Sequence, residues 1–305
     1  MNTRQAIELA SEHLKSLSGH VFDLLTLTKP ISPNAAVNLS KVISKLSPLL
    51  GNMIEFNIVE FLNDKGDFAQ FGKWVRQDPG FPDAIFQGTI NPAPGFEIKA
   101  WFPLATEITA RFKDSQNHFT DDKTYVAMLA WLPENLIYGK PCIKDVCVVS
   151  GRSVAEARDT HYHNPPDYLV LEPEDTSART RNLQQTNTNG YKWQGTAKQF
   201  EQAKKIVEGW GKDGRKYKAT RDYQVLLRQL IAQFPYRLDT NFAKMDRIVH
   251  PEIEAFKTRV CGTVVHGKTV GEWGRLFISG SDEQIKAALQ DRLEIVDRDA
   301  DQLVK

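Results

Sequence analysis

Apolar residues recur at helical spacing over Arg4–Ser16 and Ala35–Leu49, which predicts two amphipathic helices. A third helix is expected over Gly51–Leu62. It is apolar on nearly every side (Met53, Ile54, Phe56, Ile58, Val59, Phe61 and Leu62), the pattern of a buried helix. Glu55 and Glu60 then become carboxylates in a core, where each needs a partner or a cation. Two short strands follow, Asp83–Gln87 and Phe96–Trp101. The continuous apolar runs Tyr125–Trp131 and Ile143–Ser150 read as central strands. A short helix at Ser153–Arg158 and a strand at Tyr168–Leu171 come next. Thr176–Lys192 has no period and reads as an extended polar loop. Helices return at Thr196–Trp210, Arg221–Phe234 and Asp282–Arg292. The fold class is α/β: a mixed central β-sheet flanked by helices, with helical and loop-rich additions.

No apolar run is long enough to span a membrane, so no membrane partner is expected. Met1–Lys15 carries Arg4, Glu8, Glu12 and Lys15 among its apolar positions and reads as a surface helix rather than a signal peptide. Cys142, Cys147 and Cys261 are odd in number and lack CxxC spacing, which fits free thiols in a reducing compartment, by default the cytoplasm.

The chemistry concentrates in Phe81–Trp101, FPDAIFQGTINPAPGFEIKAW. Residues two apart on a strand share a face about 7 Å apart. Glu97 and Lys99 therefore project together, while Phe96, Ile98 and Ala100 face a core. The turn-rich link (Gly88, Asn91-Pro92, Pro94-Gly95) makes a hairpin, which brings Asp83 alongside them. Two carboxylates beside an ammonium suit one hard divalent cation and a phosphodiester. Glu55 is a further candidate carboxylate. Glu60 lies about 140° around the same helix and would look elsewhere.

A buried helix bearing a glutamate, a strand with Pro82-Asp83, a turn, and a strand with Glu97-Ile98-Lys99 resembles the PD-(D/E)xK nuclease superfamily. Gly51-Asn52-Met53-Ile54-Glu55 resembles the helix that often precedes that motif, and the match covers roughly residues 50 to 150. Length and a polar, basic C-terminal half look most like a type II restriction endonuclease. The resemblance implies Asp83 and Glu97 as Mg²⁺ ligands, Lys99 as the group beside the attacking water, and Glu55 as a supporting carboxylate. It implies that Mn²⁺ substitutes and that Ca²⁺ binds without supporting cleavage. It also implies a bacterial or archaeal homodimer acting on double-stranded DNA, without a nucleotide cofactor. Residues 1–175 would form the nuclease core with its N-terminal helices, and 176–305 the DNA-recognition and dimerisation region, the two packed as one compact unit.

Net charge is only +1, yet Thr176–Thr240 holds thirteen Lys or Arg against five Asp or Glu. The cations are interleaved with Gln, Asn, Tyr and Trp, a composition suited to a polyanion. Arg179, Arg181, Asn182, Gln184, Gln185 and Asn187 are types that pair with base edges, and Lys192 suits phosphate. Thr109, Arg111, Lys113 and Gln116, leaving the active-site strand, are placed for contacts near the cleavage point.

Three other strings compete. Gly262–Thr269 spells the P-loop pattern, but two glycines follow at once and no Walker B strand can fit downstream, so a strand pair or turn is expected. Gly209–Gly214 spells GxGxxG after a predicted helix instead of a strand. His161-Tyr162-His163-Asn164 resembles part of a histidine-metal nuclease motif without the rest of that pattern.

Overall fold

The computed structural model describes residues 1–77, 80–104, 119, 121–172, 188–218, 220–239 and 248–297. By its contacts the chain forms two compact units. The first comprises Met1–Glu107, Tyr125–Val149 and Pro251–Lys305; the second comprises Ile108–Thr124 and Ser150–His250. This differs from the boundary expected at residue 175. The last helices return to the first unit because their apolar side chains are buried there: Trp273, Ile285 and Leu289 join its core.

The first unit is α/β, with a mixed, curled five-stranded sheet and flanking helices. Helix α1 (Thr3–Lys15) opens on a capping box between Asn2 and Gln5. Helix α2 (Pro33–Val42) passes through a 3-10 turn (Ile43–Leu46) into α3 (Ser47–Asp64). The predicted helix Ala35–Leu49 is therefore split. Pro48 lacks an N–H and sits in the first turn of α3, where none is needed. The sheet runs β1 (Gly72–Arg76), β2 (Ala84–Gly88), β3 (Gly95–Trp101), β4 (Thr124–Asn135) and β5 (Tyr138–Ser150), in chain order across the sheet. Strands β1, β2 and β3 form an antiparallel meander.

Three sequence expectations change. Strand β1 was not foreseen. Ile143–Ser150 lies in the outermost strand and not at the centre, although the segment around Gly19–Leu27 hydrogen-bonds along its first half. Helix α3 is not buried all round: Leu50, Ile54, Ile58 and Leu62 form one buried stripe at i, i+4, whereas Phe56 is 52% exposed. That stripe packs on an aromatic layer in which Trp74 lies 5.3 Å from both Phe86 and Phe96, ring centre to ring centre.

Helices α7 (Pro251–Gly262), α8 (Val270–Ser279) and α9 (Asp282–Leu293) complete this unit. Between the first two, the P-loop-like string folds as a minimal hairpin, β9 (Val264–Val265) and β10 (Lys268–Thr269), turning at His266 and Gly267 with φ of 47° and 74°. It follows a helix and closes on itself, which is the turn expected from its sequence.

The second unit begins with α4 (Gly151–Tyr162), twice the length expected. A three-stranded antiparallel sheet of β6 (Tyr168–Leu171), β7 (Asn189–Trp193) and β8 (Tyr236–Leu238) packs against α5 (Ala197–Glu208) and α6 (Arg221–Gln233). Part of the segment read as a polar loop is thus strand β7.

Candidate active site

The site is built on the β2–β3 hairpin. Ala84 pairs with Phe96 and Ile85 with Gly95, so the same register sets Asp83, one residue before β2, opposite Glu97. A Cβ on Gly95 would come within 2.4 Å of the Pro82 ring, so only glycine allows this approach. Phe96 and Ile98 point into the core and are fully buried. Ile98 donates its backbone N–H to Asp83 Oδ2 at 2.7 Å, which fixes that carboxylate against β3.

Lys99 closes the group. Its Nζ lies 2.8 Å from Glu97 Oε1 and 3.3 Å from Asp83 Oδ2, and it donates to the Ile98 carbonyl at 3.0 Å. This is no solvated surface pair, because Glu97 is only 7% exposed and the other two are largely covered. Burial works against the Lys99 ammonium, but Glu97 and then Asp83 outweigh it and hold the group charged well above the usual lysine range.

Glu55 comes from α3, which lies against β3 at Gly51; a Cβ there would sit at ordinary contact distance, 3.8 Å, from that of Ala100. One turn on, Glu55 is half-buried and its pKa is pushed up to about 7. Burial is the main cause and Asp83 the next; Lys99 opposes them, Glu97 adds to them and Arg76 opposes. Glu60 on the same helix is exposed, as its position around the helix implied. Arg76, at the end of β1 and paired with Ala84, was missed in the sequence because β1 itself was missed. Its only signal is the short alternation KWVR.

The donor set accommodates a hard cation in part. Asp83 uses Oδ2 for both of its bonds, and its Oδ1 makes no hydrogen bond among the described residues. Yet no group of three His, Cys, Asp or Glu able to hold a metal occurs among those residues. Asp83 and Glu97 are two carboxylates joined by an ammonium, and Glu55 makes no ion pair with it. Mg²⁺ is commonly held by one or two carboxylates, with water and substrate phosphate completing its shell.

Of the expected DNA contacts, Thr109, Arg111, Lys113, Gln116, Arg179, Arg181, Asn182, Gln184, Gln185 and Asn187 lie outside the described residues. Lys192 is exposed on β7, flanked in register by Tyr168 and Arg237. Of the partial histidine motif, His161 is exposed and His163 buried. No helix among the described residues is long and apolar enough to cross a membrane. No protein-family model, no curated protein and no solved structure matches the chain.

Proposed function

We infer that the first unit is the catalytic core of a Mg²⁺-dependent endonuclease that hydrolyses phosphodiester bonds in double-stranded DNA, in the manner of a homodimeric type II restriction enzyme of the PD-(D/E)xK superfamily. One observation carries this reading. Asp83, next to β2, and Glu97, on β3, converge on the ammonium of Lys99 on β3, at 3.3 and 2.8 Å. Asp83 and Glu97 would hold the cation, which supplies Lewis-acid polarisation of the phosphate and a water of lowered pKa. Lys99, kept charged by its neighbours, is suited to offset negative charge that grows on the phosphate. Glu55, close to half protonated at neutral pH, is suited to accept or release a proton beside that charge.

A second reading takes its support from the absence of a three-ligand group among the described residues. In it, Lys99 permanently neutralises Glu97 and Asp83, and the protein binds nucleic acid without cutting it. Digestion of long natural DNAs separates the two. Discrete fragments formed with Mg²⁺ and not with EDTA support the restriction reading, and a metal-dependent smear supports a repair or structure-selective nuclease on the same core. Intact duplex bound tightly, with no effect of Asp83→Ala, supports the second reading.

A further inference from the structure

The second unit holds a buried ionic cluster that phosphodiester chemistry in the first unit leaves unused. The last turn of α4 supplies Arg158 and Asp159, and His163 follows as its C-cap. Arg158 Nη2 lies 2.9 Å from Glu172 Oε1, and its Nε donates to Asp159 Oδ1 at 2.9 Å. Tyr217 donates to Glu172 Oε2 at 3.0 Å, and its ring stacks on His163 with centroids 3.5 Å apart. Against this cluster lies a pocket of about 460 Å³, whose lining includes Asp159, Thr160, His163, Arg215, Lys216 and Tyr217.

Two lining side chains hold buried atoms without a hydrogen bond among the described residues. They are Asp159 Oδ2 and both ring nitrogens of His163, whose side chain is 0% exposed. His163 Nδ1 is 3.3 Å from Asp159 Oδ1, outside hydrogen-bond geometry. Buried polar atoms lose several kcal/mol of hydration when unpartnered, on the order of 1–3 each, so such a pair marks a place where a ligand or water bonds. Burial opposes the Asp159 carboxylate, but Arg158 and then His163 hold its pKa down at about 2, so it offers only acceptors at neutral pH. The negative end of the α4 dipole favours donors there as well.

Beside Asp159 and Glu156, the lining also carries two cations. The GxGxxG string that follows α5 is a tight turn, with Gly211 at φ 101° and Gly214 so close to Val207 O that a Cβ would lie 2.5 Å from it. That turn delivers Arg215, Lys216 and Tyr217 to the pocket. Among the described residues, Arg215 and Lys216 are tied only to Glu208 at 3.8 Å and Asp213 at 3.1 Å, exposed pairs of the kind that contribute little and yield readily to an anion.

We propose that this pocket binds a nucleotide whose base bears an exocyclic amino group, the amine donating to Asp159 and the phosphate meeting Arg215 and Lys216. A donor at one end, an anion at the other and a volume within the usual range of small-molecule sites together select this class. The site is independent of the P-loop-like hairpin and of the chemistry in the first unit. The nucleotide is either free or part of a single strand, and the recognition chemistry is the same for both.

Calorimetric titration of the full-length protein with CMP, AMP and UMP tests it, with a single-stranded trinucleotide of central cytidine as a second arm. CMP or AMP should bind saturably, with UMP at least tenfold weaker. Binding of the trinucleotide without the monomers identifies a strand as the source. Thr160 is exposed on α4, so Thr160→Trp should block the pocket and abolish binding at unchanged melting temperature, while Thr160→Ser retains it. Arg215→Ala with Lys216→Ala should weaken it tenfold or more. The proposal is overturned if neither monomers nor trinucleotide bind, if Thr160→Trp leaves binding intact, or if UMP binds as well as CMP.

Discussion

The Lys99 ammonium stands 3.3 Å from Asp83 Oδ2, across sixteen residues of sequence and two neighbouring strands. The same nitrogen touches Glu97, so one positive charge joins the two carboxylates that the nuclease reading assigns to the metal. A divalent cation entering there competes with that ammonium for the same oxygens. Cation and lysine must then share the carboxylates, which makes Lys99 a sensitive reporter of metal binding.

Lys99→Ala and Asp83→Ala should each abolish Mg²⁺-dependent cleavage while leaving DNA affinity, measured in Ca²⁺, within about tenfold of the parent protein. Cleavage of a mapped fragment and a mobility-shift titration check the two halves. A mutant that cuts at the parent rate removes the residue from the mechanism. Mg²⁺ should also raise the melting temperature of Lys99→Met more than that of the parent, because the charge holding the carboxylates together is gone.

Glu55 makes stability depend on pH in a definite direction. Its pKa rises from 4.5 unfolded to about 7 folded, so the folded protein binds the extra proton. The contribution is fully present below about pH 4.5 and is lost as pH climbs through 7. Denaturant midpoints at pH 5 and pH 8 should therefore converge in Glu55→Gln relative to the parent. An unchanged difference between the two pH values would show that another group carries it.

Asn63 protects the free edge of the main sheet. Its side chain accepts from the Trp74 N–H at 2.8 Å and donates to the Trp74 carbonyl at 3.0 Å, standing in for a neighbouring strand beside β1. Asn63→Ala should cost about 1–3 kcal/mol in urea unfolding, and light scattering should show a greater tendency to associate.

In the second unit, Arg158→Met removes the only cation shared by Asp159 and Glu172 among the described residues. Breaking one side of a buried ion cluster costs roughly 3–5 kcal/mol, because the remaining charges stay unpaired in a dry site. Chemical denaturation followed by tryptophan fluorescence measures this. A loss below about 1 kcal/mol would mean that water reaches the cluster.

Much of the candidate site was legible because it depends on a short-range rule. A strand places alternate residues on one face, so Glu97 and Lys99 had to project together and Phe96 and Ile98 had to face inward once the segment was a strand. The hairpin with Asp83 followed from the turn residues between the two runs. Glu55 against Glu60 was decided by the turn of a helix, and the exposure of Glu60 agrees.

What escaped the sequence had weaker local signals. GKWVR is five residues with mixed polarity, and it becomes a strand through pairing with β2 and the Asn63 amide. Helices α7 and α8 flank a string that reads more readily as a loop. The exposure of Phe56 is likewise invisible in composition, since an apolar residue declares its preference and not its neighbours.

The sequence by itself determined most of the helices and the strands β2 to β6, the pairing of Glu97 with Lys99 on one face, and the basic surplus of Thr176–Thr240, because these rest on periodicity and residue type. Only the tertiary structure decided that Asp83 meets the same ammonium, that Glu55 is buried enough for its pKa to reach about 7, and that Asp159 and His163 line a pocket with unpaired atoms. Those facts depend on register, on the approach of one element to another and on exclusion of water. Each is a property of residues far apart in the chain, which no local pattern encodes.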